Sequence, residues 1–139
     1  MAAQTLWIAG SLIYLLLGSA HLFYTFFTGK FLAKNPNVVA EMQNTHPLLT
    51  RKTTMWKAWV GFNGSHSLGA IFLGIINIVL ATQYFHILEK SGSLLSLTFL
   101  TSLFYLFLAK KYWFNVPLNG IVLATCCFGI AIVLIFRDC

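Results

Sequence analysis

The chain has 139 residues, of which 58% are hydrophobic and 9% charged. A soluble domain carries roughly 25% charged residues, so this composition excludes an ordinary water-exposed globule, and too little sequence lies outside the apolar runs to build a separate soluble domain. The net charge is +6, from nine Lys and Arg against three Asp and Glu, but no basic patch with interleaved aromatics is available for nucleic acid; the basic residues fall mainly between apolar runs, where they act as topology signals and anionic-lipid contacts.

The first apolar run is Leu6 to Phe27. It lacks a positive leader and its apolar core is too long for a secretory signal, so it reads as a retained helix. A long connection, 28–55, follows. Within it Asn35-Pro36 is a turn signal, Val38 to Gln43 can form one or two helical turns at the interface, and Thr45-His46-Pro47 ends them. Thr50 or Thr53 is the expected N-cap of the next helix. The second run is Trp56 to Ala81, and a short loop with Gly92 as a stop leads to the third, Ser93 to Ala109, the shortest of the four. The fourth is Pro117 to Phe136, with Pro117 placed in a first turn where its missing N–H costs nothing. A span needs about 20 residues at about 1.5 Å each. The runs are continuous and do not alternate, which excludes a membrane barrel. The expectation is an all-α integral membrane four-helix bundle, a single transmembrane domain with antiparallel up-down-up-down order and short loops except the first.

Charge orients it. Lys30, Lys34, Arg51, Lys52 and Lys57 share one side with Lys110 and Lys111, while Lys90 and Arg137 occupy the other. The positive-inside rule then puts loop 28–55 in the cytoplasm and both termini outside, periplasmic if the membrane is a bacterial inner membrane. Trp7, Trp56, Trp59, Tyr84, Tyr112 and Trp113 lie at or near span ends, as aromatic belts do. Arg51, Lys52 and Trp56 are the candidate contacts for an anionic headgroup.

Polar residues at membrane depth are costly and therefore functional candidates. Trp59, Asn63, His66, Ala70 and Asn77 share one helical face, and Tyr14, Gly18, His21 and Thr25 share another. The third run adds Thr98, Thr101, Ser102 and Tyr105, and the fourth Asn119 and Cys126. The candidate ligand-binding set is His21, His66, Asn63, Tyr14 and Asn77. His21 and His66 lie roughly 9 and 15 Å below the cytoplasmic boundary by helical rise, close enough to meet, and glycines stand beside both. One reading is axial ligation of a b-type haem by the two imidazoles; the other is hydrogen bonding between helices. Zinc would need further ligands at that depth, and a di-iron site several glutamates, whereas Glu41 and Glu89 are in loops. Neither Ser65-His66 nor Ser19 with His21 forms a dyad, because such neighbours point apart on a helix. Cys126 and Cys127 are adjacent mid-span, so with Cys139 they form no disulfide framework.

Gly61, Ser65 and Gly69 repeat every four residues, as do Ala70 and Gly74, which makes a small-residue face suited to close helix approach or to a partner subunit; Gly10 and Gly18 offer a matching groove.

The stretches Gly18-Ser19-Ala20-His21-Leu22, Thr50-Arg51-Lys52-Thr53-Thr54-Met55-Trp56-Lys57-Ala58-Trp59 and Gly61-Phe62-Asn63-Gly64-Ser65-His66-Ser67 resemble a family of small bacterial four-helix membrane proteins. In overall shape the chain is also similar to DoxX-like and EXPERA-type proteins. The latter likeness implies sterol or lipid ligands, although EXPERA-type pockets carry acidic residues and the spans here carry none. No functional residue carries over. The leading expectation is a non-enzymatic accessory or structural subunit of a larger inner-membrane complex, with no cofactor. The alternatives are a small-ligand protein, for haem or lipid at His21/His66, and a lipid-modifying membrane enzyme.

Overall fold

The computed structural model describes residues 1–138. Its elements are α1 (Ala2–Phe27), α2 (Pro36–Asn44), α3 (Met55–Gln83), α4 (Phe85–Lys90), α5 (Gly92–Tyr112) and α6 (Asn115–Asp138). Among the described residues there is no strand. Four helices, α1, α3, α5 and α6, are long and apolar enough to cross a membrane.

Local chemistry sets the boundaries. Asn35 caps α2 by accepting from the Asn37 N–H at 3.0 Å, with Pro36 in the first turn. The expected interfacial turns, Val38 to Gln43, lie inside this helix, which ends before Thr45. The cap of α3 is neither Thr50 nor Thr53. Thr54 fills the position: its hydroxyl accepts from the Lys57 N–H at 3.2 Å and its carbonyl from the Ala58 N–H at 3.0 Å. Thr50 is used instead to accept from Lys52 N–H inside the loop. Gly92 does not stop a helix but begins α5, because Ser91 one residue earlier caps it toward Leu94 N–H. The shortest run lengthens at its far end as well, taking in Lys110, Lys111 and Tyr112; basic residues suit a C-terminal turn because they face its negative dipole end. Helix α4 occupies what reads as a plain loop. It forms because Leu88 is fully buried and Phe85 packs on the core.

The chain divides into two compact units whose limits fall inside α1 and α3: Met1–Leu17 with everything from Ala70 onward, and Gly18–Gly69. The first holds the core, built from Ala3, Trp7, Tyr14, Ala70, Leu88, Leu95 and Phe128 among others. Within it α6 buries Ile121, Ala124, Thr125, Phe128, Ala131 and Ile135, which recur at helical spacing on one face. That register turns Asn119 and Cys126 outward, so the polar side expected of the fourth helix is Thr125 instead. Helices α1 and α3 approach so closely at Gly74 that an added Cβ would stand 2.7 Å from Leu15 N and 2.8 Å from Ser11 O. Gly10 does not face α3; its open side meets Ala124 O and the Phe128 ring, both at 3.1 Å. The second unit has a thin interior, with Gly18, Gly64 and Ser67 buried and half-buried rings around them.

Two glycines of the same helix should respond oppositely to alanine. Gly74→Ala drives Cβ into backbone, and overpacking of this kind costs about 1–3 kcal/mol. Gly61→Ala has nothing within 4 Å of the new Cβ and should stabilise by up to about 1 kcal/mol through helix propensity. Reversible unfolding in detergent micelles checks both signs.

Candidate functional site

In the Gly18–Gly69 unit, α1 and α3 bring His21, Asn63 and His66 together. Asn63 donates through Nδ2 to Trp59 O at 2.9 Å, which turns its Oδ1 toward His21 Nε2, 3.0 Å away. An amide oxygen can only accept, so His21 carries its proton on Nε2 and donates it to Asn63. The His66 ring meets the His21 ring edge-on, with centroids 5.5 Å apart and planes at 77°. Phe31 folds back onto the same group, its ring 4.6 Å from that of His21. It reaches that position through a tight reversal: Thr28 accepts from the Lys30 N–H, and Leu32 N–H donates to Gly29 O. Trp59 lies edge-on to Phe31 and stacks on Trp56 at 5.3 Å. The side chains of His21, Phe31, Trp56, Trp59, Asn63 and His66 are half-buried.

Axial ligation of a haem requires each imidazole to offer a bare ring nitrogen to one iron from opposite sides of the macrocycle. Here Nε2 of His21 is protonated and committed to Asn63, which leaves Nδ1 as its bare ring nitrogen, and the two rings meet edge-on with centroids 5.5 Å apart. Among the described residues no three His, Cys, Asp or Glu side chains gather into a metal-binding group. Ser65 donates to Phe62 O at 3.0 Å, so its hydroxyl proton is spent on its own helix.

Tyr14 and Asn77 belong to the other unit, where they are sealed. Asn77 Oδ1 accepts from Trp7 Nε1 at 2.9 Å and from Thr98 Oγ1 at 3.0 Å, while its Nδ2 donates to Leu73 O. A second chain starts at Tyr14. Thr125 Oγ1 donates to Ile121 O at 2.7 Å, so with its single proton spent it accepts from Ser102, 2.8 Å away; Ser102 in turn accepts from the Tyr14 hydroxyl at 2.9 Å. Every buried side-chain polar atom among the described residues has a partner. The five candidate ligand residues therefore separate into a half-open group, His21, Asn63 and His66, and a closed one, Tyr14 and Asn77. Trp7 and Ser11 are structural members that sequence reasoning misses. Trp7 lies near a span end, where an interfacial belt is expected, yet it is fully buried. The signal is in the spacing: Trp7, Ser11 and Tyr14 continue the Tyr14–Thr25 face backward by steps of three and four.

The small-residue series also separates. Gly74 lies in the α1–α3 crossing, whereas Gly61, Ser65 and Gly69 are exposed along one side of α3, flanked by exposed Phe62, Leu68 and Phe72. Arg51 and Lys52 are exposed in the loop, and Trp56 is half-buried at the start of α3.

No family model, curated protein or solved structure matches this chain. Function must therefore be read from the residues themselves.

The two polar groups should differ in energetic weight. Asn77→Ala strands a buried indole N–H and a buried hydroxyl, for a loss of about 2–3 kcal/mol. Asn63→Ala breaks one half-buried bond, for which roughly 0.6 kcal/mol is typical within membranes. Unfolding titrations in micelles measure both; a harmless Asn77→Ala would show that the network does not hold the helices.

Proposed function

We propose that this chain is an antiparallel, up-and-down four-helix membrane bundle that serves as a non-enzymatic accessory subunit, docking a helix of another inner-membrane protein along the Gly61–Ser65–Gly69 side of α3. The antiparallel pairing of α1 and α3 is supported by the contacts of Gln4 with Ala81, Trp7 with Asn77 and Ser11 with Gly74, in which one number rises as the other falls. The placement of both termini outside, periplasmic in a bacterium, follows from the basic loops.

The observation that carries the reading is the contrast among glycines. Glycine in a helix is about 1 kcal/mol worse than alanine. At Gly74, Gly10 and Gly64 the disadvantage is offset by close contact with a neighbouring element of the same chain. At Gly61 nothing in the chain lies within 4 Å of where a Cβ would be, and Gly69 is exposed two turns later. A second transmembrane helix packed on this side would offset both, since small residues four apart let backbones come close. The sealed Tyr14 and Asn77 networks agree with this role, as they are fully occupied in holding the bundle.

A lipid bound beside His21 is the second reading. It is favoured because His21, His66, Phe31 and Trp59 are only half-buried and adjoin a basic loop. Native mass spectrometry distinguishes it by a retained lipid that His66→Ala releases.

Gly61→Leu with Gly69→Leu should leave the fold intact while reducing recovery of a stoichiometric partner, in affinity purification from native membranes in mild detergent, by about tenfold, the factor expected from 1–2 kcal/mol of lost helix packing. Recovery of the unaltered chain with no partner would refute the subunit reading.

A further inference from the structure

The loop between α1 and α3 exposes a pair of large apolar side chains that the bundle leaves uncovered. Thr50 N–H donates to Pro47 O at 3.2 Å, which makes Pro47 to Thr50 a tight turn. Leu48 and Leu49 are its two central residues, and they are 107% and 94% exposed. The turn is the tip of a closed loop, because Met55 N–H donates to Thr45 O at 2.9 Å and pins its two ends together. Arg51 and Lys52 follow immediately, both exposed. From Thr28 to Lys57 the chain carries Lys30, Lys34, Arg51, Lys52 and Lys57 against one acid, Glu41.

We infer that Leu48 and Leu49 form a lipid anchor: the tip enters the headgroup layer of the bilayer that the helices cross, and Arg51 and Lys52 bind the phosphates of anionic lipids beside it. The inference rests on the membrane-bundle reading above. Three features favour lipid as the occupant. First, the loop closes on the first residue of α3, and Leu49 lies six residues from Met55, so the tip is confined within about 20 Å of the point where α3 begins. Second, that point carries the stacked Trp56 and Trp59, and indole rings settle at the level of the headgroups. Third, adjacent leucines on a turn, with cations directly behind them, combine shallow apolar burial with attraction to an anionic surface, the two contributions that drive interfacial binding. An aqueous setting would leave both leucines fully hydrated with no compensation in the chain.

The test uses the full chain with Cys126, Cys127 and Cys139 replaced by Ala, reconstituted in vesicles of phosphatidylcholine and phosphatidylglycerol. A polarity-sensitive dye is placed at Leu48→Cys, at Leu123→Cys on the exposed side of α6, or at Asn37→Cys on exposed α2. Nitroxide-bearing lipids and aqueous iodide serve as opposing quenchers. Leu123→Cys should be quenched by nitroxide lipid and shielded from iodide, and Asn37→Cys the reverse. Leu48→Cys should be quenched by shallow nitroxide lipid, and Arg51→Ser or Lys52→Ser should each lower its inserted fraction relative to free by about fivefold. If Leu123→Cys responds to lipid and Leu48→Cys responds to iodide, the anchor is overturned while the bundle stands. Shielding of Leu48→Cys from both quenchers also overturns it, in favour of a protein contact. If Leu123→Cys itself responds to iodide, the membrane reading falls and the anchor with it.

Discussion

The side chain of Asn77 is the constraint on which the larger unit depends. It receives the Trp7 indole from α1 and the Thr98 hydroxyl from α5 while its own amide is held by the turn of α3 that carries it. Trp7 then presents its ring to Phe128 of α6 at 4.9 Å. One polar group therefore indexes all four long helices. In a bilayer, apolar surface gains little by leaving lipid for protein, so leucines alone do not fix which residue faces which. A polar group with several partners does, because every slip in register would leave at least one of them unsatisfied in a medium that cannot hydrate it.

The hydroxyl chain from Tyr14 through Ser102 to Thr125 does the same for α1, α5 and α6. It differs from the Asn77 group in being directional: each hydroxyl passes its proton forward, and the last is spent on a backbone carbonyl. Residues so arranged are buried, with each hydroxyl proton already engaged. The His21 group is different. Its tautomer is set by Asn63, its rings rest against Phe31 and His66, and its side chains stay partly open. One set of polar side chains is thus devoted to cohesion, and the other, adjoining a basic loop, is only half-buried.

Much of the fold is legible in the sequence. The apolar runs locate α1, α3, α5 and α6, and helical spacing places His21, Asn63 and His66 in one group. Two kinds of information are not legible there. A face is a one-dimensional property, whereas the partner across it is not, so Tyr14 and Asn77 share faces with the histidines yet join separate networks. Amphipathic residues are ambiguous as well: Trp7 near a span end reads as an interfacial ring until Asn77 supplies an acceptor for its N–H. The caps are ambiguous for a simpler reason. Thr50, Thr53 and Thr54 are chemically alike, and only the backbone direction at Thr54 lets its oxygen reach the N–H of Lys57. On α6, Asn119 and Cys126 are polar but face outward, because the volume of Phe128 and Ile121 decides which side is buried.

Several hydroxyls of the long helices share one habit. Ser11, Thr25, Ser67, Thr82 and Thr125 each donate to the carbonyl four residues earlier in their own helix, and the amides of Asn63 and Asn77 do likewise. Such bonds need no neighbour. A helix emerging from the ribosome with these donors already occupied meets a smaller barrier to entering lipid by itself. Each segment can therefore be handed to the membrane with these groups already settled, while the bonds between helices, Trp7 to Asn77, His21 to Asn63, Thr98 to Asn77 and Tyr14 through Ser102 to Thr125, form only when the segments meet. Biogenesis and architecture are thereby separated in time: bonds within a helix are settled during insertion, bonds between helices during assembly.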